Sequence, residues 1–250
     1  MLRILAAFTF FTRLPFWRLA EIPADAFKHI VCYWPLVGWL TAGLSVAVLY
    51  VSALVLPPSM ALLLAFITRL LLTGGLHEDG LADFFDGLGG GKSREQTLAI
   101  MKDSHIGSYG VISLIAYFGL LYASLEHLPL TVAGSALLAG DPLAKGVAAM
   151  VINRLPYARK EEEAKNKTLY SRMHTGEFIF CCLAALLPLF WLPNAVYGLA
   201  ILTPLVTVWT LTTWLKRRIQ GYTGDCCGAL FLLCELSFYV GISIIYTSTT

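Results

Sequence analysis

The feature that most constrains this chain is a series of apolar runs, each of roughly twenty residues, the length that crosses a hydrocarbon core as a helix. These runs do not alternate between apolar and polar residues, so they do not match the strands of a transmembrane β-barrel. In lipid every backbone polar group must be satisfied within the protein. The sequence therefore predicts an all-α, polytopic integral membrane protein.

Composition supports this class. The 250 residues are 57% hydrophobic and 14% charged, whereas soluble domains are about a quarter charged. The net charge of +2 is too small to indicate a nucleic-acid partner, and membrane lipids are the expected surroundings. The six cysteines lie in or beside apolar runs without a Cys-x-x-Cys pair, so we expect them to be buried hydrophobic side chains.

About seven transmembrane helices are predicted within one membrane-embedded domain, residues 1–250. Prolines at the ends of several runs mark the boundaries between helices. The predicted spans cover approximately residues 29–56, 59–76, 111–125, 130–152, 178–192, 195–215 and 226–246. Residues 1–20 combine a short apolar stripe with Arg and Trp, which favour the membrane interface, and are expected to form an interfacial helix without a cleavable signal.

The distribution of Lys and Arg predicts the orientation. The short loops at residues 57–58, 126–129 and 193–194 contain neither residue. The opposite side contains Arg13, Arg18, Lys28, Lys92, Arg94, Lys102, Arg154, Arg159, Lys160, Lys165, Lys167, Arg172, Lys216, Arg217 and Arg218. By the positive-inside rule that side is cytoplasmic, which predicts a multi-pass protein of the cytoplasmic (inner) membrane. Arg69 lies about one turn from this face and is expected to reach it by snorkelling.

An acidic stretch at residues 73–91 is the main candidate site. Asp79, Asp83 and Asp86 recur at i, i+4 and i+7, so a helix would project all three carboxylates from one face, while Glu78 points elsewhere. Like charges at this spacing repel each other. Oxygen ligands without a Cys pair favour a hard cation such as Mg²⁺. The alternative is a solvated acidic cap beside a membrane helix.

A glycine-rich segment follows the acids. Residues 87–93 resemble a phosphate-binding loop, but Asp86 stands where its first glycine should be and no strand precedes it. ATP binding is therefore not predicted. Gly89 and Gly90 are expected to let the backbone approach a phosphate group closely.

Other polar residues could have either a functional or a structural role. His77 and His105 flank the acidic segments and could act as general bases, bind phosphate, or only stabilise the fold. Asp225 opens the last apolar run, where it could be a helix N-cap or a catalytic acid.

Three ionisable residues lie deeper in the apolar runs. Glu235 is expected to be paired or functional, and Asp141 with Lys145 forms either a functional or a structural ion pair. A secondary transporter would use these three as coupling residues. However, the acids concentrate at one face and the chain has no internal repeat, which disfavours a transporter.

Motifs along most of the chain resemble the cobalamin 5′-phosphate synthase family, also called adenosylcobinamide-GDP ribazoletransferases. The matching motifs are residues 11–15, 34–38, 73–87, 100–107, 157–159 and 223–225, together with Glu235. The two central motifs, 73–87 and 100–107, are the most specific in combination. Glu78, His105, Lys145 and Leu232 stand where the family often has other residues.

The resemblance implies a Mg²⁺-dependent phosphotransfer. The adenosylcobinamide phosphate group of adenosylcobinamide-GDP would move to α-ribazole or α-ribazole 5′-phosphate with release of GMP, a late step of cobalamin synthesis. Asp79, Asp83 and Asp86 would bind one or two Mg²⁺ ions and the diphosphate. Both acceptors remain open, as does assembly into a homo-oligomer.

The resemblance also implies roles for residues outside the acidic triad. Asp103 would be a further metal ligand or the base, and His77 is a second candidate catalytic residue. Lys102 and Arg159 would contact phosphate, and Asp225 would close the site from the last helix. The Asp-Gly core at Asp79 is also similar to the CDP-alcohol phosphatidyltransferases, so a lipid-forming phosphotransferase is the alternative enzyme.

Overall fold

The structure, a computed structural model, describes residues 1–159 and 170–249. Within these ranges it contains no β-strand, only an isolated bridge between Tyr157 and Tyr222. The α-helices are α1 (Leu2–Phe11), α2 (Trp34–Ser52), α3 (Pro58–Thr73), α4 (Leu76–Gly90), α5 (Arg94–Lys102), α6 (Ser108–Glu126), α7 (Leu130–Ala149), α8 (Val151–Arg154), α9 (Thr175–Leu186), α10 (Leu202–Arg218) and α11 (Gly224–Thr249). The predicted all-α class is confirmed.

The described helices fit a polytopic membrane protein, but the predicted count of seven spans is not confirmed. Five segments are long and apolar enough to cross a membrane, and a sixth is added if α3 and α4 are taken as one bent span. The five are Ala24–Ser52, Ser108–Glu126, Leu130–Arg154, Ala195–Arg218 and Gly224–Thr249. The predicted fifth span lies in the shorter apolar segment Thr175–Trp191, which at 1.5 Å per residue does not reach about 30 Å.

The N-terminal helix α1 has 10 residues, which is too short to span a bilayer and fits the predicted interfacial helix. Ala6, Ala7 and Phe11 form its buried side. Just beyond its end, the Arg13 N–H donates to the carbonyl of Leu72, 2.7 Å away, near the end of α3. This bond holds α1 beside the junction between α3 and α4.

A sharp bend places the acidic helix. Helices α3 and α4 meet at 88° across Gly74 and Gly75, whose φ values of 67° and 69° are left-handed. Glycine adopts this conformation at little steric cost. A side chain at Gly74 would also collide with Arg13. The bend turns the predicted acidic helix across the end of the bundle instead of continuing α3 outward.

Close backbone contact joins α4 to α11. A Cβ atom on Gly80 would lie 3.1 Å from the Asp225 carbonyl oxygen, and one on Gly228 would lie 3.2 Å from the carbonyl oxygen of His77. Small residues allow such close approach between membrane helices. The crossing therefore sets Asp79, next to Gly80, beside the first turn of α11.

A buried polar network lies between the helices. Arg69 contacts Glu235 directly, Glu78 at 3.3 Å and the Tyr117 hydroxyl at 2.9 Å, and the Tyr239 hydroxyl donates to Glu235 at 2.9 Å. Arg69 is only 6% exposed. The expectation that it snorkels to the membrane surface is wrong, because α11 offers a carboxylate inside the bundle.

The second predicted pair also forms. Lys145 contacts Asp141 one turn earlier on α7, and the Thr41 hydroxyl of α2 donates to the same carboxylate at 2.8 Å. The Lys145 ammonium also lies 4.0 Å from the centre of the Phe231 ring of α11. These contacts satisfy both charges within the bundle, which favours the structural interpretation of the pair.

The cysteines form no disulfide among the described residues. All six are unpaired and five are buried, as expected for small apolar side chains.

Three of the basic residues used to predict the orientation lie outside the described residues: Lys160, Lys165 and Lys167.

Candidate active site

The acidic helix presents its three predicted metal ligands to different surroundings. Asp79 is exposed, whereas Asp83 and Asp86 are buried. Asp86 accepts hydrogen bonds from the backbone N–H groups of Gly107 at 2.7 Å and Gly110 at 2.9 Å, at the start of α6. A carboxylate at a helix N-terminus is favourable for both the orphan N–H groups and the helix dipole. Asp86 therefore fixes the start of α6 against α4.

Asp79 lies where two cavities meet. One, which we call the enclosed cavity because it is the less open of the two, has a volume of about 150 Å³ and is lined by Asp79 together with Arg159 and Asp225. The other is an open cavity of about 750 Å³ beside α1 and the α3–α4 bend, lined also by Arg13 and Glu78. Two spaces that share one carboxylate suit a reaction in which two substrates meet.

Residues distant in sequence converge at the enclosed cavity. The Arg159 guanidinium lies 3.8 Å from the Asp225 carboxylate and donates to the Leu98 carbonyl at 3.0 Å. The Ala158 N–H donates to the Tyr222 carbonyl at 2.8 Å, so the segment carrying Arg159 is held beside the start of α11. Two acids and one Arg around a single cavity can bind and orient a phosphate-bearing substrate.

Aromatic side chains surround His77 in the wall of the enclosed cavity. His77 is 2% exposed and lies among Phe11, Trp34 and Phe231, with ring centres 4.9–6.1 Å from its own. The His77 Nε2 atom has no hydrogen-bond partner among the described residues. The structure thus places the predicted catalytic His77 at the cavity, embedded in its apolar part.

The segment of Lys102 and Asp103 lies apart from this cavity. The Asp103 carboxylate accepts from the His105 backbone N–H at 3.0 Å and lies 2.7 Å from the His105 ring Nδ1. These hydrogen bonds lower the pKa of Asp103, which is exposed. Lys102 lines a separate open cavity of about 600 Å³, which also borders Arg159. Arg159 and Tyr157 line both spaces.

The predicted glycine pair ends α4. Gly89 and Gly90 are both exposed, and the space beside Gly89 is filled by the Tyr109 ring, which a Cβ atom would approach to 2.7 Å. Neither residue lines the cavity that contains Asp225. The predicted phosphate contact at these positions stays a prediction.

The carboxylates of the acidic helix are the predicted ligands of Mg²⁺. No three His, Cys, Asp or Glu side chains within residues 1–159 and 170–249 are grouped so as to hold a metal ion. Mg²⁺ in phosphotransfer sites commonly uses one or two carboxylates, with waters and substrate phosphates completing its shell. Asp79 and Asp225, which line one cavity, fit that simpler donor set.

Sequence reasoning did not assign roles to the aromatic residues of the site. Phe11 and Trp34 belong to the motifs at residues 11–15 and 34–38, and their rings stack 5.1 Å apart at the cavity. Tyr170 lines the cavity from a segment far along the chain. Each of these two motifs contains an aromatic residue. Neither motif by itself indicates that the two side chains line the same cavity.

Comparisons with known proteins identify the family. A family model described as "Cobalamin-5-phosphate synthase" matches residues 3–243. An adenosylcobinamide-GDP ribazoletransferase of Shewanella sp. (strain W3-18-1) is 39% identical over 248 residues, covering 96% of this chain and 93% of the relative. The Shewanella amazonensis protein of the same name is 38% identical over 250 residues, covering 98% and 96%. No solved structure matches the chain. The chain therefore belongs to the cobalamin-5-phosphate synthase family.

Proposed function

We propose that this protein is an adenosylcobinamide-GDP ribazoletransferase. It moves the adenosylcobinamide phosphate group from adenosylcobinamide-GDP to α-ribazole or α-ribazole 5′-phosphate and releases GMP, in the late part of cobalamin synthesis. The relatives that carry this name match nearly the whole chain. The observation that carries the proposal within the molecule is the convergence of Asp79, Arg159 and Asp225 on one cavity.

The chemistry requires little covalent participation by the protein. An acceptor hydroxyl oxygen forms a new bond to the phosphorus that carries the cobinamide, the bond to the bridging oxygen breaks, and GMP leaves as the hydroxyl proton is released. Positioning and charge neutralisation supply most of the catalysis in such transfers. Arg159 is suited to hold the phosphate oxygens, because its guanidinium is already fixed by the Leu98 carbonyl.

The proposal includes Mg²⁺ dependence. Asp79 and Asp225 would hold the ion, with Asp83 as the adjacent acid of the same helix, and Mg²⁺ when bound would neutralise charge on the diphosphate. Asp86 would act indirectly, because both its oxygens hold the start of α6. Lys102 would meet the donor from the neighbouring open cavity that Arg159 borders, and Asp103, the next residue along the chain, would be a further metal ligand or the base.

The site is proposed to face the cytoplasm. Several basic residues gather at the same end of the bundle as the cavity: Arg94 donates to the Ile219 carbonyl at 2.9 Å, and Arg218 donates to the Gly91 carbonyl at 2.7 Å. The loops at this end therefore carry the Lys and Arg that predict a cytoplasmic position in the inner membrane. Soluble, diphosphate-activated substrates would reach the site from inside the cell.

The test uses purified protein in lipid nanodiscs. With adenosylcobinamide-GDP, α-ribazole and Mg²⁺, GMP should appear in step with a cobalamin product, and EDTA should stop the reaction until excess Mg²⁺ is restored. CDP-diacylglycerol with an alcohol acceptor should release no CMP. Release of CMP without GMP would contradict the proposal and support the lipid-forming enzyme.

A further inference from the structure

Arg13 is the only charged residue of the motif at residues 11–15. It lines the open cavity of about 750 Å³ at the α3–α4 bend, together with Glu78 and Asp79. Glu78 pairs with Arg69 at 3.3 Å, whereas neither the Arg13 guanidinium nor the Asp79 carboxylate forms an ion pair within the described ranges. A cation and a carboxylate that line one cavity without pairing are both free to bind a charged ligand.

The backbone around Arg13 is held on both sides. The Thr12 N–H donates to the Phe8 carbonyl at 3.1 Å, and the Leu14 N–H donates to the Thr12 hydroxyl at 3.3 Å. Between them, the Arg13 N–H donates to the Leu72 carbonyl at 2.7 Å. The side chain therefore extends from a fixed point, which reduces the entropy lost when it binds a ligand.

A glycine makes room for the Arg13 side chain at the bend. A Cβ atom on Gly74 would collide with Arg13 Nε and would lie 3.0 Å from its Cγ and Cδ atoms. Gly74 also has a φ of 67°, so the turn and the neighbouring arginine both favour glycine at this position. The Arg13 side chain thus lies across the bend, close to the start of α4.

The start of α4 adds backbone donors to the same cavity. Its N-cap residue, Gly75, has no side chain that could cap the helix, and both Gly75 and Leu76 line the open cavity at the bend. The first N–H groups of a helix lack partners within the helix and favour an anion. Together with the forked N–H groups of Arg13, they match the oxygens of a phosphate group.

The two nearby carboxylates are compatible with a bound phosphate. The charge of Glu78 is already compensated by Arg69. Asp79 is a proposed Mg²⁺ ligand, and Mg²⁺ is commonly held by one or two carboxylates together with substrate phosphates. Neither acid therefore opposes an anion beside Arg13.

We infer that Arg13 binds a phosphate group of a substrate in the open cavity at the bend, as Arg159 is proposed to do in the enclosed cavity. The inference rests on the proposed function, which offers two sources of this phosphate. They are the diphosphate of adenosylcobinamide-GDP and the 5′-phosphate of α-ribazole 5′-phosphate. Both present phosphate oxygens to the guanidinium, and binding measurements with each substrate alone distinguish them.

The main test is calorimetric titration of the full chain in nanodiscs with inorganic pyrophosphate and Mg²⁺. Arg13→Gln should weaken pyrophosphate binding about tenfold or more, the scale of losing charge-assisted hydrogen bonds. The backbone bond from position 13 to Leu72 is kept in this variant. Arg13→Lys should bind with intermediate affinity, because it keeps the charge but loses the fork.

Arg18→Gln is the matched control. Arg18 is an exposed arginine of the same N-terminal segment and lines neither the enclosed cavity nor the open cavity at the bend. Its replacement should leave pyrophosphate binding within about twofold of wild type. Thermal unfolding of each variant checks that the protein remains folded, and Arg13→Lys keeps the inference testable if Arg13→Gln does not fold.

Titration with each substrate alone identifies the source of the phosphate. α-Ribazole carries no phosphate and should bind equally to wild type and Arg13→Gln. If the phosphate is that of the donor, Arg13→Gln should weaken binding of adenosylcobinamide-GDP about tenfold or more. If it is that of the acceptor, the same variant should instead lose any preference of wild type for α-ribazole 5′-phosphate over α-ribazole.

The outcomes separate this inference from the proposed function. The inference is overturned if Arg13→Gln leaves pyrophosphate binding unchanged, if Arg18→Gln weakens it equally, or if α-ribazole binding falls as much as that of the phosphate-bearing ligands. Normal GMP release by wild type together with any of these results would reject the role of Arg13 alone. Arg13-dependent binding of pyrophosphate by wild-type protein that releases no GMP would support the phosphate site and reject the proposed reaction.

Discussion

Replacing Arg69 by Met should be the most destabilising single change in the buried polar network. The guanidinium bridges helices α3, α4, α6 and α11 through Glu78, Tyr117 and Glu235. Met keeps much of the side-chain volume but removes the charge. Glu235, which is 1% exposed, would then be a buried carboxylate without its cation.

Two effects contribute to the loss, and their sizes differ. Side-chain hydrogen bonds within membranes average about 0.6 kcal/mol, so losing three contacts accounts for about 2 kcal/mol. Removing one partner of a buried ion pair costs about 3–5 kcal/mol, because the other charge is left uncompensated. The uncompensated charge should dominate, and by itself it should lower the folding equilibrium constant by about two to four orders of magnitude.

The double variant Arg69→Met with Glu235→Gln separates these effects. It removes the uncompensated charge as well, while Tyr239 keeps an oxygen acceptor at position 235. Its loss should be smaller than that of the single variant, so the double variant should be the more stable of the two. Glu78, which is 6% exposed, loses the same cation in both variants, so its cost does not alter this comparison.

The assay is reversible unfolding in mixed detergent micelles, followed by tryptophan fluorescence, with Lys216→Met as the control. Lys216 is exposed in the last turn of α10, and its replacement should change the unfolding free energy by no more than about 0.5 kcal/mol. A loss below about 1 kcal/mol for Arg69→Met, or a double variant less stable than the single one, would refute the reasoning.

Four further predictions concern the site and the topology. Asp79→Asn and Asp225→Asn should each lower the rate of GMP release by about 100-fold or more, while the unfolding midpoint changes little. Gly80→Ala should lower activity, because its Cβ would meet the Asp225 backbone, whereas Gly43→Ala in α2, with nothing within 4 Å, should be neutral or slightly stabilising in the same assay. His105→Ala should raise the pKa of Asp103, since the hydrogen bonds that lower it are weakened, and shift the acid limb of the rate–pH profile to higher pH. A single cysteine at Ser93 in a cysteine-free chain should not react with an impermeant thiol reagent in whole cells.

Each of these predictions has a contradicting result. Near-normal GMP release by both Asn variants would reject the assignment of Asp79 and Asp225. Equal effects of the two glycine substitutions would show that the crossing at Gly80 is not what matters. An unshifted acid limb would show that ionisation of Asp103 does not control the rate, and labelling at position 93 from outside would reverse the proposed orientation.

Local sequence patterns were sufficient to predict that the chain is a membrane protein and that its acidic stretch forms a helix. Hydropathy depends only on composition over about twenty residues. The prolines before residues 59, 130 and 195 mark real boundaries, since α3 begins at Pro58 and α7 at Leu130. The i, i+4, i+7 spacing of Asp79, Asp83 and Asp86 likewise lies on one helix, α4.

The same patterns could not count the spans or assign the acids. The apolar run after Pro57 continues into the acidic stretch, and only two left-handed glycines turn the chain by 88°. Asp86 looks like its neighbours in sequence, but it accepts from two N–H groups of a helix that begins about twenty residues later. Its surroundings are set by the packing of α6, which periodicity along α4 does not contain.

The sequence by itself determined that this protein is a helical membrane protein with carboxylates gathered at one face, because hydropathy, helical period and proline positions act locally. Only the tertiary structure decided that Asp79, Arg159 and Asp225 share a cavity with Trp34, and that Arg69 pairs with Glu235 inside the bundle. Those relations depend on which helices cross closely, and the crossing of α4 and α11 depends on glycines at both contact points, 80 and 228.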